Sequence, residues 1–209
     1  IFMATADGTV KKCRLTDFSR PRLSGLRAIE LVDDNQLIGV EVTDGHHDIM
    51  LFNNGGKAVR FNESEVRAMG RTARGVRGIR LAKGQKVNSL IIVESEESSV
   101  LTVTENGFGK RTAIGDYAVK GRGGLGVISI QTTARNGNVI GAIAVDEEDE
   151  IMLISNRGTL IRTPVNDVSV LGRNTQGVTL VKLREEEQLV SLERIVEYKE
   201  PEKGFVDRE

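Results

Sequence analysis

The chain has 209 residues, 39% of them hydrophobic, with 29 Lys and Arg against 30 Asp and Glu and a formal net charge of -1. That is enough apolar material for one large domain or two small ones, and a balanced charge excludes a uniformly basic nucleic-acid binder. The single cysteine, Cys13, excludes an internal disulfide and points to a reducing compartment. Tryptophan is absent and aromatics make up 4%, which weighs against binding single strands by base stacking.

In chain order, four short apolar segments open four similar units: IFMA at 1–4, IMLF at 49–52, VLTV at 100–103 and IMLI at 151–154. Seven residues after each start stands a glycine (Gly8, Gly56, Gly107, Gly158), and four residues later a base (Lys12, Arg60, Arg111, Arg162). Turns ending in these glycines favour hairpins, because glycine accepts positive φ. A second strand follows, then a polar loop with a second glycine: Gly25, Gly75, Gly126 and Gly177. Four residues before the last three of these stands Arg71, Arg122 or Arg173; the first unit has Pro21 there, between Arg20 and Arg22. The alternation in LRAIEL (26–31) and VISIQ (127–131) predicts a third strand, and LIGVEV (37–42) and VIGAIAV (139–145) predict a fourth. Residues 62–69 predict a turn or two of helix in one loop.

A repeat of about fifty residues with four short antiparallel strands describes a propeller-like blade, so the fold class is all-β. The units divide at about 1–48, 49–99, 100–150 and 151–197, and residues 198–209 read as an acidic tail. No apolar run is long enough for a membrane-spanning helix, and none of the early residues reads as a signal peptide. The chain starts within a strand, so it is expected to be a piece of a longer polypeptide.

The string GRGGLG (121–126) matches the dinucleotide fingerprint G-x-G-x-x-G. That fingerprint needs a following helix, whereas VISIQ reads as a strand. The sibling loops GRTARG (70–75) and GRNTQG (172–177) keep only the first glycine, the arginine and the last glycine, so the repeated element is G-R-x-x-x-G. An arginine repeated around an axis forms a discontinuous positive belt. Acid collects elsewhere, at 94–97, 146–150 and 185–187. A curved basic belt suits duplex DNA, whose phosphates release counterions when neutralised. The candidate DNA-binding residues are Lys11, Lys12, Arg20, Arg22, Arg60, Arg71, Arg74, Arg77, Lys110, Arg111, Lys120, Arg122, Arg157, Arg162 and Arg173. Arg80 adds to the charge nearby.

No catalytic or metal site is expected. His46, His47 and Asp48 stand together but are not repeated and read as a polar loop between units. Tyr117 reads as a strand-edge aromatic. Cys13 lies among Lys11, Lys12 and Arg14, which favour a thiolate, but reads most simply as a strand residue without a role.

FMATA (2–6) with GTVKK (8–12), EVRAMG (65–70), TARGVRGIRL (72–81), NGFGKRT (106–112) and GRNTQGV (172–178) together resemble the C-terminal domain of bacterial DNA gyrase A. The resemblance covers all but about the last dozen residues. It implies a β-pinwheel, a disc whose neighbouring blades share strands, with DNA wrapped on a basic rim in support of ATP-dependent negative supercoiling. It implies no cofactor in this domain, ATP and Mg2+ being used elsewhere. It also implies a cytoplasmic location and assembly with the rest of gyrase A and with gyrase B as an A2B2 heterotetramer, the isolated domain being monomeric. Family members have six blades, so two are expected upstream of Ile1 and the four here are expected to form an open arc. The family's Q-R-R-G-G-[KR]-G box is absent, and KGRGGLG (120–126) is its nearest relative. The related C-terminal domain of topoisomerase IV and a propeller used only for protein docking remain the alternatives.

Overall fold

The computed structural model describes residues 1–195; the predicted acidic tail lies outside the described residues. The strands are β1 (Phe2–Thr5), β2 (Thr9–Lys12), β3 (Leu37–Glu41), β4 (Asp48–Asn53), β5 (Lys57–Asn62), β6 (Val76–Arg77), β7 (Val87–Val93), β8 (Ser99–Thr104), β9 (Phe108–Ala113), β10 (Val127–Ile128), β11 (Val139–Val145), β12 (Glu150–Ser155), β13 (Leu160–Pro164), β14 (Val178–Thr179) and β15 (Leu189–Ile195). They build four antiparallel sheets, ordered β3-β1-β2-β6, β10-β5-β4-β7, β11-β8-β9-β14 and β13-β12-β15. The architecture is an all-β propeller arrangement of four blades. Among the described residues no helix is long and apolar enough to cross a membrane.

The sheet orders show that sequence unit and blade do not coincide. The third strand of units two, three and four leaves its own unit and completes the outer edge of the preceding blade. Val76 pairs with Val10, Val127 with Ala58 and Val178 with Gly109. In the fourth blade β13 carries no outer strand among the described residues.

Each central strand is packed on both faces, which explains the continuous apolar runs. In β4, Ile49 and Leu51 join Phe2, Val10 and Phe61 in the core between the first two blades. The alternate residues Met50 and Phe52 join Val100, Ile114 and Tyr117 on the other side. Leu101 and Val103 pack with Ile151, Leu153 and Val165 between the last two blades. Each such fully buried side chain contributes about 1.5–3 kcal/mol. The innermost strands pack in series, β3 on β7, β7 on β11 and β11 on β15. No packing of that extent joins β15 back to β3 among the described residues, so the blades form an open arc.

Three expectations need correction. The third strand is two residues long, and residues 26–31 form no strand, with no earlier blade edge among the described residues for them to pair with. Residues 62–69 hold only a single 3-10 turn, Glu63–Glu65, and this turn is no local decoration. It recurs at Leu15–Phe18, Ile114–Asp116 and Val165–Asp167. Tyr117 is not at a strand edge: it is 1% exposed, stands edge-on to Phe52 with centroids 6.0 Å apart, and its hydroxyl lies 2.8 Å from Ser129 Oγ.

Candidate nucleic-acid interface

The G-R-x-x-x-G loops ride over the outer edge of the arc, and backbone geometry fixes their glycines. Gly126 has φ +75°, and a Cβ there would lie 2.6 Å from Ala58 O; Gly75 and Gly177 repeat both features against Val10 O and Gly109 O. No other residue combines positive φ with so close a backbone approach. The loop is thereby pressed onto the second strand of the preceding blade.

The loop arginine then staples one rim loop to the next. Arg71 Nη1 donates to Arg27 O at 3.4 Å, Arg122 Nη1 to Arg77 O at 3.0 Å and Arg173 Nη1 to Ile128 O at 3.0 Å. The three acceptors are equivalent, each two residues past the second glycine of its unit. Loop 121–126 is held further by Gly123 N donating to Gly78 O at 2.6 Å and Arg80 N donating to Gly124 O at 2.8 Å. Arg122 Nε also donates to Glu65 O at 3.1 Å. A guanidinium has five N–H donors, so the staple bond uses only part of each arginine's donor set.

This weave gathers Arg77, Arg80, Lys120 and Arg122 around one loop crossing, all exposed. Arg74 is exposed on the preceding loop and pairs with Glu30 at 3.0 Å. Arg20 and Arg22 are exposed in the first unit, and Arg71 and Arg173 are half-buried. Arg157 pairs with Glu186 at 3.5 Å, and Arg162 Nε donates to Glu150 at 2.8 Å.

The other predicted contacts are turned inward, which corrects their assignment to the surface. Lys11 and Lys110 are fully buried. Lys110 Nζ donates to Gly172 O at 2.5 Å and Arg173 O at 2.8 Å; Lys11 Nζ donates to Ala28 O at 2.7 Å and to Arg71 O. These ammonium groups hold the arginine loops from beneath. Burial, reinforced by the Arg173 charge, pulls the Lys110 pKa down to about 8. Arg60 is 6% exposed and donates to Asp48, Glu96 and the carbonyls of Ile114 and Tyr117. Arg111 is 6% exposed, with Nε donating to Val168 O at 2.8 Å. Lys12 is only partly exposed and pairs with Glu63 at 3.2 Å. Lysine and arginine are seldom buried, so their types alone pointed outward. The missed signal was their place within strands that the next unit covers.

The histidine loop also differs from expectation. Glu63, distant in sequence, joins Asp44 and His47, with ligand atoms within 4.8 Å of one another, while Asp48 serves Arg60. Glu63 is already satisfied: Gly45 N and His47 N donate to it at 3.0 Å, Thr43 Oγ1 at 2.8 Å and Lys12 Nζ at 3.2 Å. Burial alone would raise its pKa, but these bonds outweigh it and hold the carboxyl below its usual range. With an ammonium among its partners, this carboxylate fastens the linker between units and does not suit a metal.

Glu30 and Glu65 stay at the rim loops, but another group of acids lies away from them. Glu41, Glu94, Asp146 and Glu193, at or beside the ends of the four innermost strands, line one central cavity of about 370 Å³. Arg135, not singled out from the sequence, is exposed over the Phe108 ring at 4.9 Å. It belongs to no repeated position, so the spacing gave no signal for it.

Comparison with known proteins decides the family. The family described as DNA gyrase C-terminal domain, beta-propeller, matches four times, over residues 1–44, 47–94, 98–146 and 149–195. The chain belongs to the DNA gyrase C-terminal domain family. Over 197 residues, 94% of this chain, it is 57% identical to the DNA gyrase A protein of Salmonella typhimurium, and it spans 22% of that relative's length. A solved DNA gyrase A C-terminal domain superposes with TM-score 0.83 at 30% identity, covering 93% of this chain and 65% of the other. A solved C-terminal domain of DNA topoisomerase IV gives 0.88 at 26% identity, covering 93% and 61%. The second, third and fourth matched segments each contain a strand that completes the outer edge of the blade before.

Proposed function

We propose that this chain is the DNA-bending and wrapping part of a gyrase A protein, with no catalytic role or cofactor of its own. One observation carries the reading: the exposed bases Arg77, Arg80, Lys120 and Arg122 cluster where two adjacent rim loops cross. Duplex DNA laid on the rim meets Arg77, Arg80, Lys120 and Arg122 at one crossing, and the stapled backbone keeps those groups at fixed spacing. The contacts are to phosphates, so binding is salt-dependent and weakly sequence-specific. Bending a duplex over such a radius costs several kcal/mol by elastic estimates, roughly 1–6 for a 20–30 base-pair site, so contacts must be spread along the arc. In the holoenzyme the bent duplex would be presented for ATP-driven strand passage by the rest of gyrase A and gyrase B, as an A2B2 heterotetramer in the bacterial cytoplasm. The identity of 57% to a gyrase A protein supports gyrase rather than topoisomerase IV as the parent enzyme.

The test is DNA topology. A nicked circle is closed by ligase in the presence of the 209-residue chain, and the topoisomers are resolved. A displaced linking-number distribution is expected; a distribution identical to the protein-free control would leave only a docking scaffold.

A further inference from the structure

The three rim loops are alike outside and differ beneath. Under loop 70–75 sits Lys11, and under loop 172–177 sits Lys110, each with its ammonium on loop carbonyls. The equivalent residue under loop 121–126 is Val59, which stands before Arg60 as Lys11 does before Lys12 and Lys110 before Arg111. Its side chain is short and carries no donor. The space shows: a cavity of about 180 Å³ lies between Val59, Arg60, Tyr117, Lys120 and the loop residues Gly121, Gly124 and Leu125.

We propose that this cavity binds a primary alkylammonium ion with a chain of about four carbons, which takes the place that a lysine side chain holds in the two sibling blades. The alkyl chain lies along Val59 and the Tyr117 ring, and the ammonium reaches the backbone carbonyls that correspond to Gly172 and Arg173. The Lys120 ammonium also lines the cavity, so the loop carbonyls and not a net negative charge must hold the ion. Arg60 is neutralised by Asp48 and Glu96. The Glu65 carboxylate is at the same loop, accepting from Arg122 N at 3.0 Å. The Arg173 guanidinium already lies over the Tyr117 ring at 5.9 Å, so the ring offers the ligand apolar contact only. Burial of an ammonium is already tolerated at Lys110, with its pKa near 8, so a bound amine would similarly favour release of its proton at alkaline pH. The site does not depend on DNA binding, and its test contains no DNA.

The experiment is amide NMR of the 209-residue chain titrated with n-butylammonium, with n-butanol as the neutral analogue of equal length. Saturable shifts confined to the amides of loop 121–127 and its neighbours are expected with the amine, and at least tenfold weaker effects with the alcohol. Val59→Lys is expected to abolish the response by filling the cavity with its own ammonium. Val59→Met, which fills it without charge, is expected to do the same and serves if the lysine variant does not fold. Equal responses to alcohol and amine, a response surviving both filled variants, or no saturable response at all would each overturn the proposal.

Discussion

Replacing Arg74, Arg77 and Arg80 together by alanine separates a phosphate-binding rim from a merely basic surface. All three side chains are exposed. Only Arg74 has an ion pair among the described residues, with Glu30, and an exposed pair of this kind is worth about 0–1 kcal/mol. The backbone groups at 77 and 80 that anchor loop 121–126 survive truncation of their side chains. Thermal unfolding is therefore expected to move by a few degrees at most. Each phosphate contact contributes about -0.9 to the slope of log K against log salt, so losing three reduces its magnitude by about 2.7. Between 50 and 200 mM salt, the affinity advantage of the parent chain over the variant should then shrink about fortyfold. The assay is fluorescence anisotropy on a labelled duplex at several salt concentrations. Lys110→Met is the control, because its buried ammonium should affect stability and leave the slope alone. A triple variant with the parent slope, or a control that loses slope, would refute the placement of DNA on these loops.

Gly56→Ala and Gly158→Ala change the same hairpin position in blades two and four, at φ +79° and +78°. Both incur the left-handed cost of about 1–2 kcal/mol. Only Gly56 also faces a backbone atom, Ile130 O, well inside contact distance of the added Cβ, whereas Gly158 has nothing within 4 Å among the described residues. Gly56→Ala should cost at least twice as much in chemical denaturation, and equal costs would contradict the strand exchange. The Lys110 ammonium should titrate near pH 8 by NMR of its side chain, and Arg173→Ala should raise that value toward 10.5 by removing a neighbouring positive charge. Because the folded-state value is depressed, the penalty of burying this charge is full below pH 8 and fades as pH rises toward 10.5, so stability relative to Lys110→Met should increase across that window. A Lys110 that titrates at 10.5 in the folded chain would remove the basis of both statements. Glu187 accepts from Ser155 Oγ, Thr159 Oγ1 and Arg184 N, which hold its pKa at about 2. Its stabilising effect is present above pH 4.5 and is lost as pH falls toward 2. The deficit of Glu187→Gln in unfolding experiments should shrink across that range, and a constant deficit would show that the carboxylate charge is irrelevant.

The turns and the period were legible because they rest on local chemistry. Gly8, Gly56, Gly107 and Gly158 all adopt the positive φ that a tight hairpin demands. The third strand was overread because its alternation continues past the ladder. Ile79 and Ile130 are buried, yet their N–H groups go to the hairpin carbonyls of Gly8 and Gly56 and not to a strand partner. Which blade that strand joins is a tertiary matter that spacing does not encode. The same holds for Lys11 and Lys110. Nothing in their neighbours says that the loop of the following unit will close over them, whereas Arg74, Arg77 and Arg122 read as outward because their loops lie on the edge of the arc.

The lending of an outer strand to the blade before has a mechanical consequence. Loop 121–126 rests on the second blade, but its chain runs directly into the strands of the third. An outward pull on that loop, such as the recoil of a stiff rod bent around the arc, is shared by the two-residue ladder on one blade and the full sheet of its neighbour. Every rim attachment therefore has two footings, and load applied at one point is passed along the arc instead of peeling off a single edge. The fourth blade, with no borrowed strand on β13 among the described residues, is the place where that continuity stops.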